Sequence, residues 1–97
     1  MQKSTVIKRL QSLKNQLGSV GVNQLGLFGS TVRGENTSKS DIDILLDFYA
    51  GQKTYSNFLN ACQILEDNFK HHKLDVVTRK GLSPYIGQTI LKEVIYV

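Results

Sequence analysis

The sequence predicts an α/β domain of the α+β kind, in which helices flank a small mixed β-sheet. Two patterns predict this fold class. Some segments carry apolar residues three and four positions apart, as an amphipathic helix does, and others alternate apolar with polar residues, as a half-buried strand does. The segments follow one another as helix, strand, short helix, strand, helix, strand and helix, which is typical of a layered α/β fold. The 97 residues are expected to form one domain over residues 1–97.

The first half of the chain contains one long helix and two strands. Apolar residues at spacings of four, three and four predict a helix over residues 4–17: Val6, Leu10, Leu13 and Leu17. Ser4 is the predicted N-cap of this helix, and Gly18 is predicted to end it. A strand over residues 24–28 ends at Gly29, and a polar turn over residues 34–40 leads to a second strand over residues 41–48.

The second half alternates helix and strand. After a loop over residues 50–53, one face of a helix is apolar, which predicts a core contact for Phe58, Cys62, Leu65 and Phe69. A third strand is predicted over residues 73–78. Ser83 followed by Pro84 predicts the start of a last helix, which runs to about Glu93. For the apolar tail, residues 94–97, the sequence leaves strand and helix open.

Composition and charge exclude several classes of protein. A hydrophobic content of 40% with one proline argues against a disordered chain. Lys and Arg number 12 against 8 Asp and Glu, for a net charge of +4. The sequence has no dense basic run with interleaved aromatics, so direct nucleic-acid binding is not expected. No apolar stretch has the length of a membrane span, and the N-terminus lacks the apolar core of a signal peptide. A cytoplasmic location is therefore expected, and the single cysteine, Cys62, agrees with a reducing compartment.

The strand over residues 41–48 begins with two aspartates on one face. Its period of two places Asp41 and Asp43 side by side, with Cα atoms about 6.6–7 Å apart. Two like charges this close repel one another, and a cation between them removes the conflict. Carboxylate oxygens suit Mg²⁺, so the pair predicts a metal site.

Asp75 on the third strand is the candidate for a third ligand. Three convergent carboxylates can hold one or two Mg²⁺ ions. Each aspartate also has a simpler interpretation: Asp41 as a turn residue at a strand start, Asp43 on a solvated face, and Asp75 as a salt-bridged strand residue. The metal hypothesis is favoured because the three occur together with the Gly29-Ser30 pair.

Gly29 and Ser30 predict a phosphate-binding turn. If a helix begins near Ser30, its first backbone N–H groups and its positive end point at one spot, where glycine permits close approach. Arg33, one turn later, is a candidate phosphate contact, with a structural ion pair as the alternative. Ser30 as a helix cap is compatible with phosphate binding, and Lys39 is expected to be solvated.

The stretch "GSTVRGENTSKSDIDILL" resembles the signature of the DNA polymerase beta-type nucleotidyltransferase superfamily: Gly-Ser, ten residues, then Asp-x-Asp. A bare Asp-x-Asp arises by chance in about a quarter of chains of this length, but with Gly-Ser at a fixed distance this falls to on the order of one in a thousand. The whole chain is most similar to the minimal nucleotidyltransferases, one-domain proteins often encoded beside a HEPN-domain partner.

The resemblance implies a nucleotidyltransferase-type fold and a Mg²⁺-dependent transfer of AMP from ATP to a protein hydroxyl. The acceptor it implies is a tyrosine of a HEPN RNase toxin, with this chain as the antitoxin. Asp41, Asp43 and Asp75 are then the catalytic and metal-binding residues, and Gly29, Ser30 and Arg33 bind the nucleotide. Two alternatives stay open: neutralisation by docking alone, and a nucleotidyl-transferring subunit that acts on a small molecule or tRNA. Homo-oligomerisation through an edge strand or the apolar tail is also left open.

Overall fold

A computed structural model describes residues 1–37 and 39–97 of the chain. Ser38, within the polar turn predicted over residues 34–40, lies outside the described residues. The helices and strands have these bounds: α1 Lys3–Ser12, α2 Lys14–Gly18, β1 Val22–Phe28, α3 Ser30–Arg33, β2 Ile42–Phe48, α4 Tyr55–Asn68, β3 Leu74–Thr78, a 3₁₀ turn Arg79–Gly81, α5 Pro84–Glu93, and β4 Ile95–Tyr96.

The strands form one sheet in the order β3-β2-β1-β4. Strand β1 is antiparallel to both β2 and β4, whereas β2 and β3 are parallel. Parallel neighbours need a crossover connection, and α4 supplies it between β2 and β3. The sheet is therefore mixed and flanked by helices, which confirms the predicted fold class.

The two faces of the sheet pack against different helices. The larger core joins α1, α2 and α4 to one face, and its buried side chains include Val6, Leu10, Leu17, Leu27, Ile44, Leu46, Leu65 and Phe69. A smaller cluster on the other face joins Phe28 and Leu45 to Ile90 of α5, with Val77 of β3 packed against it. Leu45 is completely buried although it alternates with aspartates, because α5 covers this face. The alternation of residues therefore predicted the strand β2 correctly, but it did not predict that α5 covers the face that carries the aspartates.

The first predicted helix is two helices with a break at Leu13. The Leu13 backbone has φ −96° and ψ −3°, and its N–H donates to the carbonyl of Leu10, three residues back, at 3.0 Å. This tighter turn ends α1 and starts α2. The predicted Ser4 cap is wrong, because Gln2 is the N-cap residue and Ser4 lies within α1. The predicted end at Gly18 is confirmed.

In the C-terminal part of the chain, the apolar tail forms a strand and does not continue the last helix. Ser83 caps α5 as predicted, since its Oγ accepts a hydrogen bond from the N–H of Ile86 at 3.3 Å, and Pro84 is the first helical residue. The tail then forms β4, which pairs with Gly26 and Leu27 of β1. Among residues 1–37 and 39–97, every helix is too short or too polar to cross a membrane.

Candidate active site

Three neighbouring strands bring the predicted site residues together in a line. Asp75 of β3 is the register partner of Asp43 of β2, and Asp43 is in turn the partner of Phe28, the last residue of β1. Side chains in register on adjacent strands point to the same face, so the two carboxylates are neighbours. Gly29 and Ser30 follow directly after Phe28. The sheet thus places Asp75, then Asp43, then the Gly29-Ser30 turn across one face.

Asp43 carries an energetically unfavourable charge. Its pKa is raised from 3.8 to about 6, first because partial burial removes water from the carboxylate, and then because of the nearby charges of Asp75 and Asp41. A hydrogen bond with Asp75 raises the pKa of Asp43 further, whereas the charge of Arg33 lowers it. Oxygen ligands and crowded negative charge are what a hard divalent cation relieves, so the donor set fits Mg²⁺.

Asp41 lies at the margin of this pair. It precedes the first residue of β2 and is exposed to solvent, although it is near enough to raise the pKa of Asp43. Within the described part of the chain, no three carboxylate, imidazole or thiol side chains are grouped closely enough to hold a metal ion. The fold therefore brings Asp43 and Asp75 together and leaves Asp41 beside them on the solvent side.

Gly29 is required by the geometry of this site. Its backbone has φ 77° and ψ −153°, a conformation that is strained for residues with a side chain. A Cβ atom added at Gly29 would collide with the carboxylate of Asp43. Only glycine therefore lets the turn after β1 approach Asp43 this closely.

Ser30 begins the short helix α3, as predicted. The first N–H groups of a helix have no acceptor within the helix, so the amides at this end are available to an anion. Thr31, the next residue, is buried at 1% exposure and anchors the turn to the protein. The turn is therefore firmly attached, with Ser30 itself only half-buried.

Arg33 forms two ion pairs. Its Nη1 donates to both carboxylate oxygens of Glu93, at 2.9 and 3.1 Å, and its Nε donates to Glu35 at 3.0 Å. These bonds raise the pKa of Arg33, that with Glu93 first. The structural ion pair, the alternative for Arg33, is therefore present.

Glu93 is the site residue that the sequence analysis missed. It is the last residue of α5, and its Oε1 also accepts a hydrogen bond from the N–H of Gly29 at 2.9 Å. One signal could have found it: a carboxylate in the last helical turn is unfavourable beside the negative end of the helix dipole. Such a residue calls for a positive partner elsewhere in the fold.

The surroundings of the site are open. Asp75 is exposed, and Lys39 is exposed as expected. Asp47 of β2 lies with its Oδ2 3.5 Å from the Nη1 of Arg79. A cavity of about 420 Å³ lies at the edge formed by α4, β3 and the 3₁₀ turn, and none of the three aspartates lines it. Asp75 and Asp41 are therefore open to solvent, whereas Asp43 is partly buried.

Comparisons with known proteins agree with this geometry. Residues 4–97 match the nucleotidyltransferase domain family. The protein adenylyltransferase MntA of Thermococcus cleftensis is 39% identical over 77 residues, which cover 79% of this chain and 76% of that protein. A solved structure assigned by inference to the minimal nucleotidyltransferases is 28% identical with a TM-score of 0.82, covering 98% of this chain and 95% of the other.

A further solved structure is similar in fold. It is a toxin–antitoxin with AMP-PNP, 21% identical with a TM-score of 0.68, and the match covers 99% of this chain and 72% of the other. With the family match over nearly the whole chain, the fold and the site lead to one assignment. The chain belongs to the nucleotidyltransferase domain family and is a minimal nucleotidyltransferase.

Proposed function

We propose that this chain is a protein adenylyltransferase that transfers AMP from ATP to a tyrosine hydroxyl of a HEPN-domain RNase toxin and thereby acts as its antitoxin. Two comparisons support the proposal: a relative 39% identical is named a protein adenylyltransferase, and a structure of similar fold is a toxin–antitoxin with AMP-PNP. The resemblance of the whole chain to minimal nucleotidyltransferases, which are often encoded beside a HEPN-domain protein, supports the partner. A cytoplasmic location belongs to the same proposal.

The observation that carries the proposal is the order of groups across the sheet. Asp75 lies on the edge strand β3, Asp43 on β2, and the Gly29-Ser30 turn at the end of β1. A triphosphate at the turn would present its α-phosphoryl group towards Asp43. An acceptor on a second protein can approach exposed Asp75 from the open edge of the sheet, without having to enter a cleft.

The proposed reaction is a single displacement at the α-phosphorus. The acceptor oxygen forms a bond to the α-phosphorus, and the bond from that phosphorus to the bridging oxygen of the β-phosphate breaks, so pyrophosphate leaves. The hydroxyl proton passes to the carboxylate of Asp75, which acts as the general base. The Ser30 hydroxyl and the first amides of α3 hold the phosphates while the bonds change.

The acidic residues also define the metal requirement. Asp43 and Asp75, with Asp41 beside them on the solvent side, would hold one or two Mg²⁺ ions, which when bound would offset the negative charge of the phosphates and of the carboxylates themselves. Arg33 would supply positive charge to the phosphate side of the site, although it does so while paired with Glu93 and Glu35.

The test is AMP transfer in a purified pair. This chain is mixed with a candidate HEPN-domain RNase toxin, ATP and MgCl₂, and both proteins are analysed by intact mass spectrometry. We expect one AMP to be added to the partner and localised to a tyrosine by peptide mapping, with loss of the partner's RNase activity. Asp43→Ala should abolish the addition.

The control separates catalysis from docking. An Asp41→Asn/Asp43→Asn variant keeps the size of both side chains, so it should still bind the partner in a pull-down while leaving the RNase active. If this double variant neutralises the partner as well as the wild type does, neutralisation occurs by docking alone. An AMP adduct on a small molecule or tRNA, with none on the partner, would replace the proposed acceptor.

A further inference from the structure

We infer that Glu93 is a positioning residue for the nucleotide: it clasps both ends of the Gly29–Arg33 turn and holds that turn in the shape that binds the triphosphate. The inference rests on the proposed function for the role of the turn, but the contacts that define the clasp are present without any ligand. The Glu93 clasp comprises Glu93, the N–H of Gly29 and the guanidinium of Arg33.

The clasp is made mainly by one oxygen atom. Oε1 of Glu93 accepts from the Gly29 N–H at 2.9 Å and from Nη1 of Arg33 at 3.1 Å, and Oε2 accepts from the same Nη1 at 2.9 Å. Gly29 precedes the first residue of α3, and Arg33 is its last. One carboxylate therefore ties the beginning of the turn to its end.

A turn this short needs support from outside. Helix α3 has four residues, and a single helical turn is unstable by itself because nucleation fixes several dihedral angles for few hydrogen bonds. Buried Thr31 anchors the middle of the turn, and the Glu93 clasp connects its two ends.

Glu93 is itself well placed to act as a fixed point. Immediately after it the chain turns at Val94 into β4, which pairs with Gly26 and Leu27 of β1, just before Gly29. Its side chain is 23% exposed, against 62% for Glu35, the other partner of Arg33. Glu93 is thus held by β4, and Gly29 by β1, the strand that β4 pairs with. Glu35, in contrast, lies in the segment that directly follows α3, so it has no such support from the sheet.

The opposite role, an internal anion that blocks the phosphate site, makes a different prediction. A blocking carboxylate would compete with the triphosphate, so its removal would tighten nucleotide binding. A positioning carboxylate lowers the entropy cost of binding, so its removal weakens nucleotide binding. The sign of the change therefore distinguishes the two roles.

The experiment measures the binding of α,β-methylene-ATP with MgCl₂ by calorimetry, because the methylene bridge prevents AMP transfer. We expect Glu93→Ala to raise the dissociation constant about tenfold to a hundredfold, as misplacement of a binding group does. Glu93→Met, which keeps the aliphatic stem and lacks both oxygens, should do the same if the alanine variant folds poorly. Glu93→Gln keeps an acceptor for the Gly29 N–H but loses the acceptor at Oε2 for Arg33, so it should restore only part of the affinity.

Glu35→Ala is the matched control, since Glu35 also pairs with Arg33 but does not contact Gly29. It should leave the dissociation constant within about twofold, as expected for an exposed ion pair. An equal loss in Glu35→Ala and Glu93→Ala would overturn the inference, and so would unchanged or tighter binding in Glu93→Ala and Glu93→Met.

Two further measurements separate positioning from general destabilisation. Hydrogen–deuterium exchange of the ligand-free protein should quicken over residues 29–34 in Glu93→Ala, with β1 and β2 unchanged; unchanged exchange in this segment contradicts the clasp. In the AMP-transfer assay the variant should raise the KM for ATP and leave kcat nearly unchanged, whereas a smaller folded fraction would lower kcat alone. If the wild type binds no nucleotide, the proposed function fails, and the exchange comparison still tests the clasp.

Discussion

The site depends on two residues with unusual local features, the backbone conformation of Gly29 and the charge of Asp43. Gly29 adopts a backbone conformation with φ 77°, and Asp43 keeps a carboxylate beside Asp75 with its pKa raised to about 6. The charge of Asp43 is unfavourable by itself, and the backbone conformation of Gly29 would be unfavourable for any residue with a side chain. Such backbone conformations and perturbed ionisation cluster at functional sites. The two are also coupled, because the missing Cβ of Gly29 is the space that the Asp43 carboxylate occupies.

Gly29→Ala tests this coupling. We expect the variant to lose MgATP binding and to unfold at a lower temperature, because the added Cβ meets Asp43 and a positive φ costs about 1–3 kcal/mol. Thermal denaturation and nucleotide titration measure the two effects.

Gly51→Ala is the matched control for this substitution. Gly51 has φ 76°, and a Cβ added there would meet nothing within 4 Å, so the control contains the backbone strain without the collision. Its loss of stability should be the smaller of the two, with nucleotide binding unchanged. Equal effects of the two substitutions would mean that the contact between Gly29 and Asp43 is not decisive.

The helices and strands show which features of the fold are local. The period of β2, the Ser83-Pro84 start of α5 and the Gly-Ser/Asp-x-Asp spacing depend on neighbouring residues, so the sequence predicts them. The pairing of β4 with β1 and the contact of Glu93 with Gly29 depend on residues more than 60 positions apart. Periodicity carries no information on such contacts. The break at Leu13 was missed because its apolar spacing continues through the break.

The helix caps give a prediction at this scale. Ser83→Ala should lower the free energy of unfolding by about 1 kcal/mol, since the Oγ of Ser83 accepts the N–H of Ile86 at the start of α5. Ser4→Ala should change it by less than about 0.5 kcal/mol, because Ser4 is an exposed residue inside α1. Urea denaturation of the two variants measures the difference. A cost for Ser4→Ala equal to that of Ser83→Ala would restore Ser4 as the cap.

For the whole molecule, the core and the site occupy separate parts of the sheet. Helices α1, α2 and α4 cover one face, and on the other face α5 packs over Leu45 and Phe28. Asp43 and Asp75 lie near the starts of β2 and β3, at the margin of that cluster where Asp43 pairs with Phe28. Asp75 is exposed to solvent, whereas Asp43 is only partly hydrated. The apolar core therefore provides the stability that the crowded carboxylates reduce.

This trade-off predicts a pH-dependent gain in stability for Asp43→Asn in the absence of metal. The pKa of Asp43 is about 6 in the folded protein, above the ordinary value of 3.8. The folded state therefore binds the proton more tightly, and the stability that protonation supplies is lost as the pH rises from about 4 through 6. Above that window the wild type bears the full cost of the ionised carboxylate, whereas the asparagine variant does not.

At pH 7.5 in EDTA, Asp43→Asn should be more stable by about 1 kcal/mol after solvent screening of this partly exposed group. The gain corresponds to a rise in Tm of about 4–8 °C for a domain of this size, and it should nearly vanish at pH 4. Thermal denaturation at a series of pH values measures the difference, with Glu66→Gln on the exposed side of α4 as the control that should show no such trend. A gain of equal size at pH 4 and pH 7.5 would contradict the raised pKa, because an effect of packing alone does not titrate.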